Sequence, residues 1–108
     1  MANCCSADLT LMRDERPFGD QEVNEIEGAL KEIDHCDSGS LDYKDDFYLE
    51  WHGDTSWCLP KERLMLIATT YRTRIRAIGR EDGCAFIQVL CVDENGAIVQ
   101  DDALEYAF

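Results

Sequence analysis

Residues 47–78 read FYLEWHGDTSWCLPKERLMLIATTYRTRIRAI, and the fold turns on this stretch. Phe47, Leu49 and Trp51 alternate with Tyr48 and Glu50, the two-residue period of a strand with one buried face. Gly53-Asp54 turns the chain. Pro60, with its fixed φ and no N–H, suits the first turn of a helix, and Leu64, Ile67, Ala68 and Tyr71 give that helix an apolar stripe. Trp57 is placed to cover its start. Arg74, Arg76 and Gly79 then punctuate a strand built on Ile75, Ala77 and Ile78. Strand, corner, helix and strand are expected in that order.

Upstream, Ala7, Leu9 and Leu11 alternate with Asp8, Thr10 and Met12, so Ser6 to Arg13 is expected to be a half-buried strand. Pro17 and Gly19 stop it within a charged turn. Asp20 is a natural N-cap, and Glu22 lies where the helix dipole favours an anion. Val23, Ile26, Leu30 and Ile33 recur at helical spacing, which predicts a helix over residues 20–35. HCDSGSLDYKDD, residues 35–46, reads as a wet loop. Downstream, Asp82-Gly83 marks a turn, and the apolar run CAFIQVLCV, residues 84–92, is expected to be a central strand. Asn95-Gly96 signals a hairpin. DDALEYAF, residues 101–108, is either a short last strand or a packed terminus.

The expected order is β-α-β-α-β-β with room for a fifth strand. Alternating strands and helices suit a parallel sheet, but the closing hairpin and short connections favour an antiparallel or mixed one. The prediction is an α+β, ferredoxin-like domain over residues 1–108, with two helices on one face of the sheet. The cysteine spacing is wrong for an iron–sulfur cluster, and no cofactor is implied.

At 108 residues the chain can bury one modest core. Its formal charge of −13 exceeds the magnitude of roughly 2–8 that keeps a small domain soluble. Residues 1–60 carry 15 acids and 4 bases, residues 61–80 one acid and 6 bases, and residues 81–108 seven acids and no base. Such a surface repels nucleic acid and anionic lipid and attracts basic partners. The chain has no apolar run of the roughly 18 residues that span a bilayer, and MANCCSADLT lacks the features of a signal peptide. A cytoplasmic protein with reduced thiols is therefore expected.

Two parts of the chain resemble the Api92-like or YubB-type ferredoxin-like proteins of phages and plasmids. Their N-terminus typically reads Met-x-Asn-Trp-Cys-x-Asn before an alternating strand. Met1, Asn3, Cys5, Leu9 and Leu11 match, with Cys4 in place of the tryptophan and Ala7 in place of the second asparagine. Trp57, Leu59 and Pro60, the helix through Tyr71, and Gly83 with Phe86 are similar to the family's later corner, helix and strand. The resemblance implies a fold and a mobile-element origin. It implies no catalytic residues.

Chemistry is sparse. His52, Asp54 and Cys58 surround one corner, where a thiol with a base and a nearby Lys61 or Arg63 can be imagined. Cys4, Cys5, His35 and Cys36 would bind zinc only if the first strand's start met the first helix's end, and adjacent strand cysteines point to opposite faces. No metal site is expected. The pairs Asp45/Asp46, Glu81/Asp82, Asp93/Glu94 and Asp101/Asp102 fall at expected turns without a phosphate cradle and read as solvated. The basic segment Lys61 to Arg80 is expected to pair with the protein's own acids.

The leading expectation is a non-enzymatic inhibitor of a host nucleic-acid-binding defence protein, of anti-CRISPR or anti-restriction type. It would act by presenting carboxylates as DNA presents phosphates. Glu22, Glu25, Glu32, Asp34, Asp45 and Asp46 are the expected acidic contacts, and Trp51 and Trp57 the expected anchors. No direct contact with nucleic acid or membrane is expected, and the protein would be a monomer or a homodimer. The alternatives are a thiol-dependent enzyme or small-molecule binder using the Trp51–Pro60 corner, and a self-associating accessory module.

Overall fold

The alternation that begins near the N-terminus sets the centre of the molecule. In the computed structural model, which describes residues 4–35, 38–56, 58–81 and 86–105, Cys4–Met12 is strand β1 and the two neighbours of β1 lie on either side of it. Cys5, Ala7, Leu9 and Leu11 are buried on one face of β1, while Ser6 is exposed and Asp8 pairs with polar groups on the other. The chain continues through α1 (Asp20–Ile33), β2 (Ser40–Asp45), β3 (Tyr48–Ser56), α2 (Lys61–Tyr71), β4 (Arg74–Glu81), β5 (Phe86–Val92) and β6 (Ile98–Glu105).

The six strands form one antiparallel sheet in the order β2-β3-β1-β4-β5-β6. The chain is therefore α+β, with two helices against one sheet face. β3 returns into the space between β1 and β2, and α2 then carries the chain to the other side of β1. The core lies between helices and sheet. Ile26, Leu30 and Ile33 of α1 and Leu64, Ile67 and Ala68 of α2 meet Leu9, Leu11, Leu49, Trp51, Ile75, Ala77, Leu90 and Val92. Every fully buried leucine or isoleucine side chain here removes about 1.5–3 kcal/mol of apolar surface from water.

The helix and hairpin signals are seen with adjusted ends. α1 starts after Gly19, which takes the N-cap position expected of Asp20, and Glu22 Oε1 accepts the Gly19 N–H at 3.2 Å. It stops at Ile33, two residues short of the expected end, because Asp34 is already extended. Pro60 precedes α2 as its N-cap, and the helix closes at Arg72 in the left-handed conformation. Gly96 turns the β5–β6 hairpin at φ +82°, and a side chain there would strike Thr69 Oγ1 at 2.0 Å. Only glycine fits that contact.

The count of strands departs from expectation. Residues 40–45, expected as loop, form the edge strand β2, and residues 98–105 form a full edge strand β6. The sheet thus has six strands instead of four or five. Trp57, Cys36, the Asp82-Gly83 turn, Cys84 and the residues after Glu105 lie outside the described residues.

Candidate partner-binding surface

The basic side chains decide how much acidic surface remains. Among the described residues, seven bases are held by the protein's own acids: Arg13 and Arg16 by Glu22, Lys44 by Glu50, Lys61 by Asp101, Arg63 by Glu32, Arg74 by Asp14 and Arg80 by Asp8. Four of them belong to the segment Lys61 to Arg80. That segment is therefore largely neutralised from within, as its sequence predicts. Lys61 is pushed up and Asp101 down, each chiefly by their mutual hydrogen bond.

The expected acidic contacts divide into occupied and free. Glu22 is occupied: it takes Arg13 in a two-pronged pair at 2.9 and 2.7 Å, and the Arg13 hydrogen bonds hold its carboxyl down at about 2. Glu32 bridges to Arg63 of α2 at 3.0 Å. Asp34 accepts the backbone N–H groups of Ser38 and Gly39 and so fixes the chain's exit from α1. Asp45 accepts the Phe47 N–H at 2.8 Å inside the β2–β3 turn. Glu25 is exposed, but its charge falls near Tyr71, whose hydroxyl is raised first by burial and then by Glu25 and Glu22. Glu22 and Glu32 are thus spent on the fold's own bases.

A different grouping does form, around the free edge of the sheet. Tyr43 of β2 is 50% exposed and Phe47, in the turn after it, is 39% exposed. Asp46 accepts the Tyr43 hydroxyl proton, and its carboxylate with those of Asp20 and Asp45 pushes the tyrosine up to about 12. Asp20 comes to this place because the Phe18 N–H bonds the Asp46 carbonyl at 2.7 Å, tying the start of α1 to the β2–β3 turn. Glu27 lies two turns along α1 from Asp20, on the same exposed side. Asp42 is exposed on β2. Asp20, Glu27 and Asp42 have no hydrogen-bond or ion-pair partner among the described side chains. Tyr43 and Phe47 thus stand exposed beside the carboxylates of Asp20, Asp45 and Asp46, on an edge strand that carries Asp42 on its other face and pairs with no described strand on its outer side.

Sequence reasoning named Asp45 and Asp46 but missed Tyr43, Phe47 and Asp20 as part of the same surface. Trp51, expected as an anchor, is corrected: it is 2% exposed and belongs to the core. Its indole fills a slot over Gly53 and Gly39, where an added Cβ would lie 2.4 and 2.5 Å from the ring. The signal was legible as Trp51-x-Gly53, since residues two apart on a strand share a face. Trp57 lies outside the described residues.

The imagined thiol corner is pulled apart. Cys58 is exposed in a cleft of about 460 Å³ between the end of α1 and the start of α2, with His35, Thr55 and Arg63 on its walls. His52 lies on the opposite face of the sheet, with Nδ1 2.6 Å from Asp8 and Nε2 3.6 Å from Glu50. The hydrogen bond to Asp8 raises the pKa of His52. Burial works against the charged form of Asp8, yet bonds from His52 and Arg80 outweigh it and draw its pKa down. Cys5 is buried, and burial pushes its thiol up. Among the described residues no three His, Cys, Asp or Glu side chains gather as a metal site would require. Among the described residues no helix is long and apolar enough to cross a membrane.

No protein-family model, no curated protein and no solved structure matches this chain.

Proposed function

We propose that this chain is a non-enzymatic binding protein whose β2 edge engages a basic, nucleic-acid-binding surface on another protein. The observation that carries this reading is the group of carboxylates of Asp20, Asp45 and Asp46 beside exposed Tyr43 and Phe47, on an edge strand whose other face carries Asp42. Charge brings a basic partner in quickly, and desolvated aromatic rings hold it. The neutralised basic segment supports the same reading, because it leaves little positive surface to hold phosphate. The concrete version is an inhibitor of host defence, of anti-CRISPR or anti-restriction type, carried by a mobile element. The β1–β4 core belongs on this reading to the ferredoxin-like type, extended by the β5–β6 hairpin. Its support is the order β2-β3-β1-β4 with α1 and α2 as the two crossovers.

The test is capture from lysate at low salt by native protein and by the triple variant Asp20→Lys, Glu27→Lys, Asp42→Lys. None of these three carboxylates has a hydrogen-bond or ion-pair partner among the described residues, so the variant changes surface charge without removing a bond of the fold. Native protein is expected to retain a nucleic-acid-binding protein, and the variant to lose it. Equal retention by both, or no such protein with either, would remove the proposal.

A further inference from the structure

β2 and β6 are the two edges of the sheet, and among the described residues no strand pairs with the outer side of either. At β2 the ladder shows which backbone groups are free. The Arg13 N–H bonds the Phe47 carbonyl at 3.0 Å, so Phe47 and every second residue of β3 after it turn N–H and C=O toward β1. Glu50 and His52 therefore turn theirs toward β2, where they meet Asp42 and Ser40. The Asp54 carbonyl agrees with this parity, since it accepts the His35 N–H at 2.6 Å on the side away from β1. Leu41 and Tyr43 are left with N–H and C=O pointing outward. Acids lie on both faces of this edge. Tyr43, level with buried Leu49, stands on the helix side beside Asp46, Asp20 and Asp45, while Asp42 lies on the opposite face, level with Glu50.

We propose that β2 receives an extended, basic segment of another protein as a seventh strand, which rests on the reading of this edge as the partner surface and adds how the partner is held. Leu41 and Tyr43 exchange N–H and C=O bonds with the incoming backbone. A strand sends successive side chains to opposite faces. Consecutive Lys or Arg side chains therefore find Asp42 on one face and Asp20, Asp45 and Asp46 on the other. A helix laid along the edge would reach the acids of one face and leave those of the other unmet. The placement of the carboxylates selects a strand.

A second copy of this chain does not fit the same place. Antiparallel pairing of β2 with itself about Asp42 sets that carboxylate against the partner subunit's Asp42, and β6 would bring Asp101 and Asp102. Like charges directly opposite each other are destabilising. Lys44, the one base of β2, is turned to Glu50 at 3.9 Å. The shift of register between Tyr43 and Asp45 ends the regular edge at Tyr43. The added strand is therefore short, and charge and backbone hold it together.

Amide hydrogen exchange read by NMR at low salt tests this, with a synthetic peptide of about seven residues, Thr-Val-Lys-Arg-Lys-Val-Thr, as the probe. On binding, the Leu41 and Tyr43 N–H groups are expected to exchange about tenfold or more slowly, and those of Ser40 and Asp42, already bonded to β3, to change less. Leu41→Pro removes one outward N–H where an edge strand tolerates proline and leaves every charge in place. It should weaken peptide binding about tenfold, with its fold checked by circular dichroism, while Leu41→Ala binds close to native. A bound peptide that leaves the Leu41 and Tyr43 amides as exposed as before overturns strand addition. If Asp20→Lys/Glu27→Lys/Asp42→Lys abolishes that same binding, the acidic-edge reading stands without it; if the triple variant binds as native does, both fall. A native chain that does not bind the peptide overturns strand addition alone, because capture from lysate does not depend on the peptide.

Discussion

The Arg13 corner and the β2 edge are built from the same kinds of residue and use them in opposite ways. At the corner, Arg13 is a 6% exposed charge at the end of β1, stacked 4.3 Å over the Phe18 ring. It donates to Glu22, to the Pro17 carbonyl at 3.0 Å and to the Tyr71 carbonyl at the end of α2. One guanidinium thus ties the β1–α1 loop to both helices. At the edge, the carboxylates of Asp20, Asp45 and Asp46 meet no base among the described residues, and they stand beside rings that the core does not use. A charge that the fold consumes is silent toward a partner, whereas one that the fold leaves alone is what a partner meets. Total charge does not separate the two kinds. Partners do.

The largest effect should come from breaking the corner. Glu22→Gln leaves Arg13 buried without its counter-charge and is expected to cost about 3 kcal/mol of folding stability, read by urea denaturation. The companion Arg13→Met/Glu22→Gln should recover a good part of that loss, because an apolar pair can replace a buried ion pair at little cost. If Glu22→Gln alone costs less than about 0.5 kcal/mol, the corner is no more structural than the edge, and the contrast fails.

Acid provides a graded form of the same break. Glu22 is held at about 2 in the folded protein against an ordinary 4.5. Its depressed value means that the contribution is fully present above pH 4.5 and is lost as the pH falls through about 2. Across that window the native protein should lose up to roughly 3 kcal/mol more than Glu22→Gln does. Parallel acid titrations of the two proteins would contradict the assignment.

The corner was legible in the sequence, though only with hindsight about parity. Ala7, Leu9 and Leu11 point into the core, and Arg13 continues the same odd-numbered face, so an arginine there must be buried and paired. Reading residues 13–20 as a charged turn hid that step. The central strands were legible because both flanks are paired and one face is packed, which imprints alternation on β1, β3 and β4. β2 carries no such imprint. In SLDYKD only Leu41 is shielded even in part, because an edge strand with little covering has no face that demands apolar residues. Its pairing with β3 comes from the backbone, which is not written in side chains. For the candidate surface, Asp45 and Asp46 could be named from charge, but Asp20 joins them only through the Phe18–Asp46 backbone bond.

The smallest effect on stability should come from the edge, and it sharpens the comparison most. In Asp20→Lys/Glu27→Lys/Asp42→Lys no hydrogen bond among the described residues is lost, while three charges are reversed and the net falls from −13 to −7. Self-repulsion falls and the first-turn anion at Asp20 is forfeited, two terms of opposite sign and a few tenths of a kcal/mol each. Stability should therefore stay within about 0.5 kcal/mol of native. Against the roughly 3 kcal/mol expected for a single substitution at Glu22, three reversals at the edge should be nearly invisible to denaturant. Should the triple variant unfold readily, the edge carboxylates are part of the scaffold, and capture experiments with it would say nothing about recognition. If it folds as the native chain does, any binding it loses belongs to the surface alone.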